Sequence, residues 1–283
     1  MSTANSLDDY LAWVALTRDY WGLDGHKELW FRAEDDAHAA TMLQPGLYRA
    51  RDKKPRRPIK KLLALENELY EEFRRCAPQL SDRPFGDDEW DAYFLMQHHG
   101  VPTRLLDWTD GALIALHFAV SYKTAPFRSG AVVHALDPWW LLKLMRRHPD
   151  RKDAEGRWRS FHRKHPFDTD EEEWERLYLP SDEYDAHVPL LKTPAIPLLW
   201  DSPHVSRRIA AQRSRFMIFG TDPSWLADLK AKRHTRISSI AIPRTSIEGL
   251  KRELRDAGIT ESVVFPDLDG LGRELRQVWD TLH

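Results

Sequence analysis

The run "GALIALHFAV" at residues 111–120 places a single imidazole among small and apolar side chains. A helix that is apolar nearly all round has no face to offer water, so it must be buried. The fold of this chain therefore has to be built around that segment. The stretch just before it, "QHHGVPTRLLDWT" (97–109), is its chemical opposite. It carries an amide, two imidazoles, a guanidinium, a carboxylate, an indole and two hydroxyls around one glycine and one proline. "DDEWDAYFLMQHHG" begins a helix capped by Asp87 or Asp88 and stopped by Gly100, with Pro102 beyond it. Residues 97–109 thus read as a helix end, a proline-pinned turn and the capped start of a buried helix, which holds several polar groups over a cleft.

Around that centre the periodicities define further elements. "SLDDYLAWVALTRDYW" reads as an amphipathic helix with Ser6 as N-cap and Leu7, Leu11, Val14 and Ala15 on one face. "HKELWFRAE" alternates as a strand, with Leu29 and Phe31 on one side and Trp30 and Arg32 on the other. "LLALENELYEEFRRCA" is helical, with Leu62, Leu65, Leu69 and Phe73 apolar. "GAVVHALDP", "AIPLLWDSP" and "RFMIFGTDP" read as strands; "ISSIAIPRTSIEGLKRELRDAGIT" as strand, loop and helix; "SVVFPDLDGLGRELRQVWDTL" as a short apolar stretch and a helix. Residues 141–180 are polar and are expected to add helix or loop with little core. Helices dominate the first half and strands the second. That order predicts a single α+β domain at 26–276 with a polar insertion at about 141–180, preceded by the N-terminal helix of residues 1–25.

Composition removes several function classes. A net charge of −2 gives no global pull toward nucleic acid or anionic membrane. The basic run "RDKKPRRPIKK" reads as a solvated loop or, failing that, a phosphate-binding patch. A single cysteine, Cys76, excludes an intrachain disulfide and a four-cysteine zinc site. No signal peptide and no stretch of roughly 20 apolar residues is present, so a cytoplasmic protein with no membrane partner is expected. Dinucleotide-binding, P-loop, nucleophile-elbow and H-E-x-x-H motifs are absent. His98 and His99, adjacent on a helix, diverge by about 100° and share a metal poorly, so no metal is expected. Twelve tryptophans, several in polar surroundings such as Trp158 and Trp174, suggest clefts or packed loops beside a central core.

The blocks "LWFRAE", "GLYRA", "LMQHHGVPTRLLDWTDGALIALHFA", "RRIAAQRSRFMIFG" and "VVFPDLDGLGREL" resemble, in that order, those of the FRG domain family over roughly residues 26–276. Ala33 and Ser214 stand where that family usually has glycine, and Glu34 where glutamine is common. A weaker resemblance is to ADP-ribosyltransferases, in which an early-strand arginine, a hydroxyl-bearing strand running into a helix, and a glutamate follow one another. It implies an ADP-ribosyltransferase-like split β-sandwich with N-terminal and peripheral helices, and NAD as substrate.

On that resemblance Arg32 would hold the phosphates, Trp108 would stack on nicotinamide, and Thr109 or Asp107 would fix its carboxamide. Gln212 would occupy the glutamate's place. An amide there carries no negative charge, so Asp107 or Glu34 would have to supply it. Arg104 and His98 complete the candidate nucleotide-binding set. Each has a plainer role available: Arg32 pairing with Glu34, Arg104 buried against helix ends, Asp107 capping, Trp108 in the core, Gln212 between helix and strand. Three functions remain open: transfer or hydrolysis of ADP-ribose from NAD, with a macromolecular acceptor possible; a non-catalytic nucleotide-sensing module; and a nuclease or nucleic-acid binder.

Overall fold

A computed structural model describes residues 2–35, 41–49, 57–80, 88–121, 130–164, 166, 170–180, 193–200 and 207–282. In chain order these form β1 (Ser2–Thr3), α1 (Leu7–Tyr20), β2 (Trp30–Asp35), α2 (Ile59–Cys76), α3 (Glu89–His98), β3 (Leu105–Thr109), α4 (Ala112–Ser121), β4 (Gly130–Leu136), α5 (Pro138–Arg146), α6 (Pro149–His162), β5 (Leu198–Trp200), α7 (Arg207–Ala211), β6 (Ser214–Ile218), α8 (Trp225–Ala231), β7 (Ile237–Pro243), α9 (Ile247–Asp256), α10 (Glu261–Val264) and α11 (Leu268–Leu282). The strands make one seven-stranded sheet in the order β1-β7-β4-β2-β3-β6-β5. Every neighbouring pair is antiparallel except β1 with β7. This is an α+β architecture.

The sheet has a weak seam. β2 pairs with β4 over six residues and β3 with β6 over five, but β2 meets β3 only at Phe31 opposite Thr109. Side chains alternate across the sheet, and this alternation sorts the core into three clusters. On the front face, Phe31, Ala33, Val133 and Ile240 pack under α1, α4 and α9. Also on the front, Leu105, Phe216 and Ile218 pack under α3 and α6. On the back, Trp30, Leu106, Trp108, Leu136, Met217 and Phe219 form one cluster that spans the seam. The back is continuous, and the front is divided where β2 and β3 part.

Several expectations meet the structure directly. Ser6 caps α1 by accepting from the Asp9 amide at 3.2 Å, and Asp88 caps α3 by accepting from the Trp90 amide at 2.9 Å; Asp87 lies outside the described residues. Gly100 ends α3 with φ +80°, a conformation open to glycine. α4 is buried on most sides, as its apolarity demands, and the Tyr10 hydroxyl donates to the Ala112 carbonyl at its start.

Others are corrected. "LLDWT" is not a helix start but the strand β3, in line with the hydroxyl-bearing strand that the weaker resemblance implies, because Leu105, Asp107 and Thr109 alternate with Leu106 and Trp108 at a period of two. Strands are accordingly not confined to the second half. α1 buries Tyr10, Trp13 and Thr17, whereas Leu11 on the expected face is 42% exposed. α2 buries Leu62, Glu66 and Tyr70, so its buried line includes a carboxylate. Residues 141–180 were expected to add little core, yet Leu141, Met145, Ala154, Trp158, Trp174 and Tyr178 are buried in the clusters beneath α5 and α6. Most of the basic run, residues 51–56, lies outside the described residues. No helix among the described residues is long and apolar enough to cross a membrane.

Candidate active site

A cavity of about 210 Å³ opens on the front face at the seam. Its floor is the sheet: Phe31 and Ala33 from β2, Asp107 and Thr109 from β3, Ser214 and Phe216 from β6. Its walls are Phe94, Gln97 and His98 of α3, Phe118 of α4, and Arg208, Ile209 and Gln212 from α7 and its end. The split of the front core into two clusters is what leaves this space.

Arg32 stands at the point of divergence. A continued ladder would carry β2 past Asp107; instead Arg32 Nη1 donates to the Asp107 carbonyl at 2.7 Å. Its Nε donates to Glu34 at 3.1 Å, and Glu34 also accepts from Arg49 at 2.5 Å and from the Leu43 amide at 2.8 Å. His134 approaches the same carboxylate at 3.4 Å. Burial works against ionisation of Glu34, but Arg32, His134 and Arg49 outweigh it and hold this carboxyl well below the usual range.

Asp107 is open to the cavity yet surrounded by protein, and that confinement pushes its carboxyl above the ordinary aspartate range. Arg32 and a hydrogen bond from Gln97 Nε2 at 3.0 Å pull the other way without prevailing. Gln97 is itself oriented by the Thr103 hydroxyl, which donates to its Oε1 at 2.5 Å. The His98 imidazole is pulled below its ordinary value by burial and by Arg208 and His99. The Thr109 hydroxyl donates to the Gln212 carbonyl at 2.7 Å and accepts from the Gly111 amide at 3.0 Å, so it ties β3 to the segment before β6 and starts α4. The Gln212 side chain lines the cavity, and its Nε2 donates to the Val264 carbonyl at 3.3 Å.

Arg32, Asp107, Gln212, Thr109, Trp108 and His98 all border this one cavity. Two candidates nevertheless need correction. Arg104 lies outside it, 2% exposed, paired with Glu66 at 2.5 Å and donating to the carbonyls of Tyr178 and Phe219. It is a buried strut that does not border the cavity. Trp108 is also 2% exposed, with its ring in the back cluster, so it is placed for packing and not for stacking on a ligand. Arg208 and the four phenylalanines were not singled out in the sequence. "RRIAAQRSRF" contains four arginines, and nothing in the string distinguishes the one that faces the cavity. Among the described residues no three His, Cys, Asp or Glu side chains gather as a metal site.

With this geometry established, comparison with known proteins adds one assignment. Residues 27–127 match the FRG domain family, so the chain carries an FRG domain there. The match takes in Arg32, Glu34 and the whole 97–109 segment, and stops before α7 and Gln212. No curated protein and no solved structure matches the chain.

Proposed function

We propose that the cavity at the seam takes the nicotinamide–ribose end of NAD and that the chain cleaves it, passing ADP-ribose to water or to an acceptor. The observation that carries this reading is Asp107, a carboxylate on the floor of a pocket lined by Phe31, Phe94, Phe118 and Phe216. Aromatic walls suit a flat heterocycle. The volume is below the roughly 300–1,000 Å³ of pockets that enclose drug-sized ligands, so one ring and part of a ribose fit and the remainder lies outside. The seven strands form one open sheet, and its weak join at β2–β3 is the feature nearest to an ADP-ribosyltransferase-like split sandwich.

The step is a displacement at the ribose C1′. The bond from C1′ to the pyridinium nitrogen breaks, and its electron pair stays on nitrogen, neutralising the ring. An acceptor or water oxygen forms the new bond to C1′ and gives its proton to Asp107. The carboxylate also faces the positive charge that builds on the ribose in the transition state. Removing a general base of this kind costs about 10²–10⁴ in rate. Purified protein is expected to release nicotinamide from NAD, and Asp107→Asn to lose at least about 100-fold of that rate while still binding. Absence of both release and binding in the wild type would sink the proposal.

One observation favours a second reading, a nucleotide-binding module without turnover. Gln212, in the glutamate's place, is an amide directed at a backbone carbonyl. Binding of NAD without nicotinamide release would select it.

A further inference from the structure

Among the described residues, four guanidinium groups at or near the site are committed to protein acceptors. Arg32 is held by Glu34 and the Asp107 carbonyl, and Arg104 by Glu66. Arg213 pairs with Asp110, and Arg215 with Asp110 and Glu28. Arg208 differs. It is half-buried, lines the cavity, and has its guanidinium 4.5 Å over the ring of Phe265, yet no carboxylate among the described residues forms an ion pair with it. Stacking occupies the flat face of the group and leaves its in-plane N–H donors available.

Its surroundings do not satisfy the charge. Burial pulls the Arg208 pKa down, and so does Arg273, which lies 4.8 Å over the same Phe265 ring. Asp267, Asp107 and Glu261 oppose this from a distance, without contact. A partly desolvated cation without a counter-ion is costly unless something supplies the anion. His98 lines the same cavity, near enough for the Arg208 charge to help pull its imidazole below the ordinary value.

We infer that Arg208, with His98 at its side, is the anion site of this cavity and holds the phosphate-bearing part of the ligand, a role Arg32 is too occupied to fill. The guanidinium fork matches two phosphate oxygens at once. The ring-binding end of the ligand then lies toward Asp107 and the phosphates toward α7. That the phosphates belong to NAD rests on the function proposed above; the need for an anion at Arg208 does not.

Calorimetry on wild type, Arg208→Gln and Arg208→Lys separates the two. The titrants are NAD, nicotinamide riboside and inorganic pyrophosphate, and thermal melts confirm that each variant folds. NAD affinity is expected to fall about 10–100-fold in Arg208→Gln. Arg208→Lys, which keeps the charge without the fork, should fall between, and nicotinamide riboside should bind all three alike. Equal NAD affinity in wild type and Arg208→Gln would overturn the inference while leaving NAD binding intact. So would an equal loss of nicotinamide riboside, which would mean that the variant had collapsed the cavity. If the wild type binds no NAD, the proposed function fails and pyrophosphate decides: binding that drops at least tenfold in Arg208→Gln supports a site for another phosphorylated ligand. Pyrophosphate binding that is absent, or equal in the two proteins, overturns it.

Discussion

Replacing Glu66 by leucine is expected to destabilise this protein by about 3–5 kcal/mol, the cost of leaving a buried charge without its partner. Glu66 is fully buried and accepts from Arg104 Nε at 2.5 Å, the Arg104 amide at 2.8 Å and the Tyr93 hydroxyl at 2.5 Å. Without it the Arg104 guanidinium keeps only the carbonyls of Tyr178 and Phe219, neither of which is charged. The double variant Glu66→Leu/Arg104→Met removes both charges. It forfeits four hydrogen bonds at about 1 kcal/mol each, those of the Arg104 amide and the Tyr93 hydroxyl to Glu66 and of the guanidinium to the Tyr178 and Phe219 carbonyls, so it should be no less stable than the single variant. Urea unfolding followed by tryptophan fluorescence reports on this region directly, because Trp158 and Trp174 share its cluster. A single-variant cost under about 1 kcal/mol, or a double variant worse than the single, would refute the reasoning. Since Arg104 stands outside the cavity, the double variant should also bind ligand like wild type.

Three further outcomes follow from the same geometry. Glu34 titrates lower in the folded state than in the unfolded chain, so its contribution is complete above about pH 5 and drains away as pH falls. Melts from pH 3 to 8 should show Glu34→Gln less stable than wild type at neutral pH, with the gap closing in acid. Asp107 has the opposite sign: its raised folded pKa means that the native state holds the proton more tightly, and ionising it costs stability as pH rises. Asp107→Asn should therefore melt higher than wild type at pH 7 and equally near pH 3, although it is expected to lose at least about 100-fold in turnover. A methyl group at Gly220 would sit 1.9 Å from the Pro194 carbonyl oxygen, so Gly220→Ala should cost at least about 1–3 kcal/mol in urea unfolding.

Local chemistry was legible wherever it is written in neighbouring residues. The Ser6 and Asp88 caps, the Gly100 stop and the alternation of β2 need only a few adjacent positions to declare themselves. The 97–109 segment was readable as a site because its polar groups are dense next to an obligately buried helix. What failed depended on partners distant in sequence. β3 is only five residues long, too short for period two and period 3.6 to be told apart, and it lies just before the apolar run of α4. Glu66 looks like any solvated helical glutamate until Arg104, 38 positions on, comes to meet it. The same blindness placed Arg104 among the cavity residues and overlooked Arg208 there, since a guanidinium is defined by which carboxylates reach it.

The seam between β2 and β3 has a consequence for how this site can be altered. Beyond Phe31 and Thr109 the two halves of the sheet are spaced by a side chain, the Arg32 guanidinium on the Asp107 carbonyl, and not by backbone hydrogen bonds. Backbone spacing between paired strands is fixed at about 4.8 Å whatever the sequence, whereas a side-chain spacer takes its length from the residue chosen. The back cluster runs unbroken on the face that Trp30 and Arg32 share and resists separation, so the side chain at position 32 acts beside a fixed pivot. The spacing at this seam is in that sense set by a side chain, the same one that holds the buried Glu34 carboxylate.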